Sequence, residues 1–465
     1  MPTPAPGPTR NPARKLAPVP WRWTHEGRMH RTDVGEASMN GRTAFAVGNQ
    51  KRIHIAPPHG MDHFPPATGA RYDTTNRTDS HPSSQHVTTP FDVAIVGLGA
   101  MGSAAAYHLA RRGQRVVGID QFSPPHAMGS SHGKSRMIRE AYYEHPLYVP
   151  LVQRAYVLWD ELSLMAGAPV FLQTGGLMVG PEQGTLVQGT LRSAAEHRLA
   201  HERLSSGTLR RRYPAFSPLD DMVGVLEHRA GILFPDVIIR SHLQLAELHG
   251  ATLRRDEAVQ GWDRTTEGIA IRTSSGTIVA RQMIVAAGAW TAPLLVSLAL
   301  PLTVERQVIH WCDPVQFPEY FTPERMPVSI WELPDGTLFY TKPDLGDGVK
   351  IGVHHGGATV TAESIDRHIS DAEDARIYDL LRRFVPFAKG HLRDRAVCMY
   401  TNTPDAHFVV DRHPEVEEVL ILSPCSGHGF KFASVLGEVA ADLVTRGSSD
   451  FDLTPFALQR LRSAS

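Results

Sequence analysis

The stretch Phe91 to Gly102, FDVAIVGLGAMG, constrains this chain more than any other. An apolar run, Val93-Ala94-Ile95-Val96, stops at Gly97-Leu98-Gly99-Ala100-Met101-Gly102, and an alanine-rich, helix-favouring segment follows from Ser103 to Leu109. Strand, tight turn and helix in that order predict an α/β fold with a Rossmann-like dinucleotide-binding unit. Gly97 permits the turn, Gly99 lets a pyrophosphate approach the backbone, and Gly102 lets helix and strand pack closely. The helix start offers unpaired N–H groups and a partial positive charge to the phosphates. A second apolar run, Val116-Val117-Gly118-Ile119, closes with Asp120, placed to accept from a ribose hydroxyl. The alternative is a glycine-rich turn in some other α/β fold.

With 465 residues and 42% hydrophobic content, the chain can bury a large core and hold two structural units. A formal net charge of −1 argues against nucleic acid as a partner. Three cysteines, Cys312, Cys398 and Cys425, are too few for a disulfide framework, which points to an intracellular, cytoplasmic protein. No run approaches the roughly eighteen apolar residues of a membrane span, and none near Met1 suggests secretion. Residues 1–90 hold 13 of the 35 prolines and 7 of the 24 histidines without a sustained apolar period. They are expected to be a disordered extension or the product of an upstream mis-start. No metal site is expected.

After Asp120, the loop Gly129-Ser130-Ser131-His132-Gly133-Lys134-Ser135-Arg136-Met137-Ile138-Arg139 is expected to turn helical, so that Arg136 and Arg139, three apart, share a face. His132 precedes them. The cluster suits an anionic ligand or a cofactor that becomes negative; a solvated basic face is the alternative. Tyr148 to Leu162 carries a buried helical period, and Val170 to Gly180 a β-like run with the Gly175-Gly176 pair inside it. A helix from Val237 to Gly250, a β segment with Val259, a hairpin turning at Ser275-Gly276 and, in Met283 to Trp290, an apolar strand followed by a glycine, best fitted by a buried parallel strand, follow. That series returns to the first sheet. From Leu302 to about Arg393 the pattern becomes antiparallel, with turns at Pro334-Asp335-Gly336 and Gly346-Asp347-Gly348. Alternation puts Lys350, Gly352 and His354 on one face, either the floor of a site or a solvent-facing surface. Near the end, Ser426-Gly427-His428-Gly429-Phe430-Lys431 feeds a helix whose buried stripe runs from Phe432 to Val444, a second anion-favouring helix start.

Taken together, GLGAMG, GSSHGKSRMIR, VAAGAW, CMYTNTPDAHFVVD and SGHGFK resemble the monomeric sarcosine oxidase and N-methyltryptophan oxidase family of D-amino-acid-oxidase-like flavoproteins, from Phe91 to about Leu461. The resemblance implies FAD, joined through its 8α methyl group to Cys398, and oxidation of a secondary amino acid by O2 with release of peroxide. By motif it implies that Arg139 and Lys431 bind the substrate carboxylate, that Tyr340, His354 and Tyr400 shape the cavity around the amine, and that His132 and Arg136 lie against the flavin. Lys350 matches the lysine that activates oxygen. Gly97, Gly99, Gly102, Asp120, Val259, Gly427 and Gly429 are the further expected cofactor contacts. Residues 91–170, 231–300 and 395–465 would form a discontinuous FAD-binding domain, and 171–230 with 301–394 an α+β substrate domain built on an antiparallel sheet. The protein is expected to be a monomer.

The leading expectation is therefore a covalent-FAD oxidase of a small N-methyl amino acid. Oxidation of a cyclic imino acid such as pipecolate or proline is a second enzymatic reading. A noncatalytic or electron-transfer flavoprotein would expect gaps where Arg139, Lys431, Lys350 and Cys398 stand. A nicotinamide dehydrogenase shares only GLGAMG and gives Cys398 no role.

Overall fold

The apolar run at the head of the fingerprint forms the strand Phe91–Val96, with Val93, Ala94 and Ile95 fully buried. It belongs to a computed structural model that describes residues 21–23, 29–31 and 91–462. The chain divides into two units, 1–88 and 89–465. In the first, Trp21–Trp23 pairs antiparallel with Met29–Arg31. Apart from those strands, the expectation for residues 1–90 lies outside the described residues.

In the second unit, an eight-stranded sheet carries the fingerprint. Phe91–Val96 pairs in parallel with Val116–Ile119 on one side and Gly276–Val285 on the other, and Thr252–Arg254 extends the parallel ladder beyond Val116–Ile119. Gly276–Val285 serves two neighbours in turn. Its first half closes an antiparallel meander with Gly268–Thr273 and Val259–Thr265, and its apolar end, Met283 to Val285, lies in parallel between the first strand and Val419–Ser423. Val409–Arg412 completes the sheet by pairing antiparallel with Val419–Ser423. The helices Ala100–Arg111, Val149–Ala166, Pro235–Leu248 and Ala433–Arg446 pack together, and their apolar stripes form one core with the sheet.

A nine-stranded sheet follows the alternating segment. Thr303–Cys312, Val349–His354, Leu338–Lys342 and Val328–Glu332 pair antiparallel in that order, the last three joined by the two expected glycine turns. Gly176–Pro181 continues the sheet in parallel with Val328–Glu332, and Leu392–Asn402 lies on the other side of Thr303–Cys312. Behind it, Trp331 stacks on Phe339 at 5.6 Å, and both rings meet Phe384 of the helix Asp371–Phe384. Each fully buried large apolar side chain here contributes roughly 2–3 kcal/mol.

The structure corrects three expectations. Arg136 does not enter a helix: Arg136–Ile138 is a strand, paired antiparallel with Gly231–Leu233, which in turn pairs with Phe171–Gln173. The polar loop has no apolar helical stripe to bury, whereas Gly231 lets the strands approach so closely that a Cβ there would strike the Leu172 carbonyl. The β-like run around Gly175-Gly176 is not one strand but two, Phe171–Gln173 and Gly176–Pro181, which join different sheets; Gly175 turns the chain between them at φ +74° and Gly176 opens the second. The antiparallel run from Leu302 is also broken by the helix Asp371–Phe384, started by a capping box in which Ser370 accepts from the Glu373 N–H and Glu373 from the Ser370 N–H.

Candidate active site

One cavity of about 440 Å³ runs between the two sheets, from the fingerprint turn to Lys431. At the turn, Gly97 adopts φ +93° against the end of the neighbouring strand, and a Cβ would press on the Ala286 carbonyl. Gly102 is packed so tightly that a Cβ would collide with the Gly97 carbonyl, which keeps helix and turn together while Gly102 itself stays off the cavity wall. Gly99 is different: it lines the cavity and leaves bare backbone there, with Ser131 Oγ the nearest atom to a would-be Cβ at 3.5 Å. Asp120 and Val259 line the same cavity. The Asp120 Oδ2 accepts the Leu98 N–H at 2.7 Å and its Oδ1 the Phe122 N–H at 2.9 Å, so the carboxylate also fastens the turn to the next strand.

Toward the middle, Cys398 lines the cavity although it is only 2% exposed. The Arg136 Nη2 lies 3.9 Å from its sulfur and donates to the Ser130 carbonyl at 2.7 Å, while Nη1 donates to the Ser135 carbonyl at 2.9 Å. His132 sits behind this layer, and burial, then Arg136 and Lys350, lower it to about 4. Its Nε2 has no hydrogen-bond partner among the described residues.

The antiparallel sheet supplies the floor. Tyr340 lies across from Gly352, which has no side chain because the tyrosine ring and hydroxyl occupy the space above it. His354 Nδ1 is 3.2 Å from the Tyr400 hydroxyl, and both side chains close on Gly427, whose φ of +77° and contact with the Tyr400 ring exclude a Cβ. Burial, then His355, holds His354 well below the ordinary histidine range. Lys350, from the same face, lies one layer behind the wall: its amine donates to the Gly133 and Ser135 carbonyls at 2.6 and 3.0 Å. Directly across the strand pair stands Lys342, which does line the cavity and donates to the same Ser135 carbonyl at 3.3 Å. Burial, each other's proximity for Lys350, and Arg136 for both hold these amines well below the ordinary lysine range.

The far end is cationic. Arg139 is 1% exposed, lies 4.2 Å over the Tyr142 ring and 4.8 Å over the Tyr143 ring, and donates through Nη2 to both Glu144 oxygens at 2.8 and 2.6 Å. Its Nε has no partner among the described residues. Burial alone would raise the Glu144 carboxyl, but Arg139, with His428 and Lys431, brings it down to about 2. Burial and Arg139 pull Lys431 down to about 7 against the attraction of Glu144. Two buried cations thus face one carboxylate, an arrangement able to take a second, incoming anion.

Of the residues singled out in the sequence, Gly97, Gly99, Asp120, Val259, Arg136, Arg139, Tyr340, His354, Cys398, Tyr400, Gly427, Gly429 and Lys431 share this cavity, whereas Gly102, His132 and Lys350 support it from behind. Glu144, Lys342 and the Tyr142–His428 contact were not singled out. Lys342 was legible in principle, since alternation in LFYTK puts it on the Tyr340 face. Glu144 sits on irregular backbone five residues after Arg139, where no period marks it. Cys425 also touches the cavity, donating to the Ser423 carbonyl at 3.0 Å.

The bare backbone at Gly99 and the thiol of Cys398, which line one cavity, suit a long cofactor with a phosphate end and a reactive ring. A family model described as FAD dependent oxidoreductase matches residues 92–443. Monomeric sarcosine oxidase from Streptomyces avermitilis is 41% identical over 378 residues, covering 80% of this chain and 98% of its own. N-methyl-L-tryptophan oxidase from Salmonella dublin is 37% identical over 372 residues, covering 80% and 99%. L-proline dehydrogenase from P. horikoshii shares the fold at a TM-score of 0.70 and 19% identity, over 81% of this chain and 99% of that one. The chain belongs to the monomeric sarcosine oxidase and N-methyl-L-tryptophan oxidase family of FAD-dependent oxidoreductases, and it is an FAD-dependent amine oxidase.

Proposed function

We propose that the protein oxidises a small N-methyl amino acid, such as sarcosine or N-methyltryptophan, with O2, and that FAD is held through its 8α carbon by the Cys398 sulfur. With water as the second reactant, the products are formaldehyde, the demethylated amino acid and H2O2. The observation that carries this reading is the cavity itself, which joins a dinucleotide-binding turn to a buried Arg139–Lys431 pair that, among the described residues, has Glu144 alone to balance it. FAD bound in this cavity would supply the redox chemistry, an acceptor for the electron pair of the substrate C–N unit that can be reoxidised by oxygen.

The chain's own residues orient and tune. Arg139 and Lys431 take the substrate carboxylate, and Arg139 can do so without leaving Glu144 because its Nε is unused among the described residues. Tyr340, His354 and Tyr400 close around the amine; with its basicity suppressed, His354 stays neutral and does not repel a protonated amine. Fixing the carboxylate fixes where the N-methyl group lies, which lowers the entropic cost of reaching the reactive geometry. Arg136 and His132 support the flavin from the loop side. Lys350, held by two carbonyls, provides positive charge where oxygen gains electrons. The enzyme acts as a cytoplasmic monomer.

A substrate panel under air, with peroxide release as readout, tests the reading across sarcosine, N-methyltryptophan, pipecolate, proline and glycine. Turnover of N-methyl amino acids is expected, with kcat/KM falling at least a hundredfold, on the order of a lost charged contact at each stage, in Lys431→Met. Preference for pipecolate or proline would replace the substrate and keep the site. Silence from fully flavinylated protein would overturn the reaction.

A further inference from the structure

Among the described residues Lys431 forms no ion pair, and the nearby Glu144 gives both its oxygens to the Arg139 Nη2. Two other oxygens hold the Lys431 amine: the His428 carbonyl at 2.9 Å and the Tyr142 phenol oxygen at 3.2 Å. Beyond Tyr142, the hydrogen positions follow one from another. The Ala406 carbonyl can only accept, so His428 Nε2, 2.9 Å away, carries the ring hydrogen. Burial above all keeps this imidazole neutral, at about 4, which leaves Nδ1 bare. The Tyr142 hydroxyl lies 2.7 Å from that nitrogen and therefore donates to it, a shorter contact than the 3.3 Å to the His428 carbonyl. Only its lone pairs are then left for Lys431. The amine spends two hydrogens on these oxygens and keeps the third for the cavity it lines. Tyr142 is fully buried and His428 is 6% exposed, so water does not stand in for either partner.

We infer that Tyr142 and His428 are positioning residues for Lys431, forming with the Ala406 carbonyl a one-way hydrogen-bond chain that keeps the lysine amine protonated and aimed at the substrate carboxylate. This rests on the carboxylate site proposed above. The chain matters because the surroundings work against the charge. Arg139 and Arg136 face Lys431 as cations and Lys342 and His354 as titratable groups, and among the described residues Glu144 is the carboxylate opposing them, already committed to Arg139. With the amine near 7, a single acceptor decides how much of it is charged in the neutral range. Ala406 is held at φ +59°, unfavourable for a residue with a Cβ, at the point where its carbonyl receives the histidine.

The test is binding of butanoate, a carboxylate with no amine to oxidise, to the flavin-loaded enzyme, read from perturbation of the flavin absorbance between pH 6 and pH 9. In the wild type the dissociation constant rises above about pH 7, as Lys431 loses its proton. Tyr142→Phe keeps the ring packed on Phe432 and under Arg139 but removes the phenol oxygen. Its dissociation constant is expected to begin rising at lower pH and to be about tenfold weaker at pH 7, the effect of one hydrogen bond to a charge. In a Lys431→Met background the same change should have no further effect. An unshifted pH limb in Tyr142→Phe, or an equal loss with and without Lys431, would overturn the chain. Unchanged butanoate binding in Lys431→Met alone would instead overturn the carboxylate site.

Discussion

Lys342 and Lys350 pose the sharpest electrostatic problem at the scale of single residues. They stand opposite each other on adjacent strands, 4% and 2% exposed, and donate to one carbonyl oxygen. Two ammonium groups sharing one acceptor repel each other, so the pair titrates as a unit. Lys350 has two short carbonyl contacts to Lys342's single longer one and is the better seat for the proton. Lys342→Met removes the largest neighbouring charge that depresses Lys350 and leaves a side chain of similar shape. Lys350 should then hold its proton to higher pH. If that charge promotes oxygen reduction, the alkaline fall in the rate of reduced enzyme with O2 should move to higher pH. An unmoved limb in a folded variant would mean the two amines do not communicate.

At the scale of elements, the helices against the fingerprint sheet carry a cost that appears in acid. His108 and His242 are 5% and 1% exposed; Tyr107 stacks on His242 at 5.7 Å, and Trp159 lies 5.9 Å from it. Burial first, then Arg112 and its neighbours for His108 and His108 itself for His242, pulls both to about 3. Unfolded histidine takes its proton near 6.5, so between those values the unfolded chain binds more protons than the folded one. The stability is present above about pH 6.5 and is lost as the pH falls toward 3; at pH 5 each histidine costs about 2 kcal/mol. His242→Phe, which keeps an aromatic ring in the stack, should therefore lessen the fall in urea-unfolding free energy between pH 7 and pH 5 by about that amount, and an unchanged fall would exonerate the residue. Elements were legible where a period met a breaker. Val93 to Val96 before Gly97, the meander from Val328 to His354 and the stripe of Ala433–Arg446 all announce themselves that way. Arg136–Ile138 could not be read because its partner, Gly231–Leu233, lies almost a hundred residues on, and three-residue strands carry too few alternations to register. The helix Asp371–Phe384 was legible and passed over, since Ser370 and Glu373 already spell a capping box. Side chains such as Glu144 and Lys342 gain meaning only from what faces them across the cavity, which local pattern does not contain.

For the whole molecule, the question is which part of the chain the catalytic structure needs. Both large sheets, every candidate cavity residue and the apolar cores lie in the unit from Thr89 to Ser465. The relatives' own lengths are matched at 98% and 99% by 80% of this chain, so the stretch aligned with them corresponds to nearly the whole of those enzymes. The first strand of the fingerprint begins at Phe91, pairs on both sides within the same unit, and takes its register from Gly276–Val285 and Val116–Ile119. A chain beginning at Thr89 should consequently fold, retain its yellow colour after acid precipitation if the Cys398 link forms, and oxidise the same substrates with kcat within about twofold of the full-length protein, since no group proposed to touch substrate or flavin is removed. Loss of flavin or of cooperative unfolding in that shortened chain would show that residues 1–88 contribute to the catalytic unit; equal flavin content with a changed substrate profile would place their contribution at substrate access.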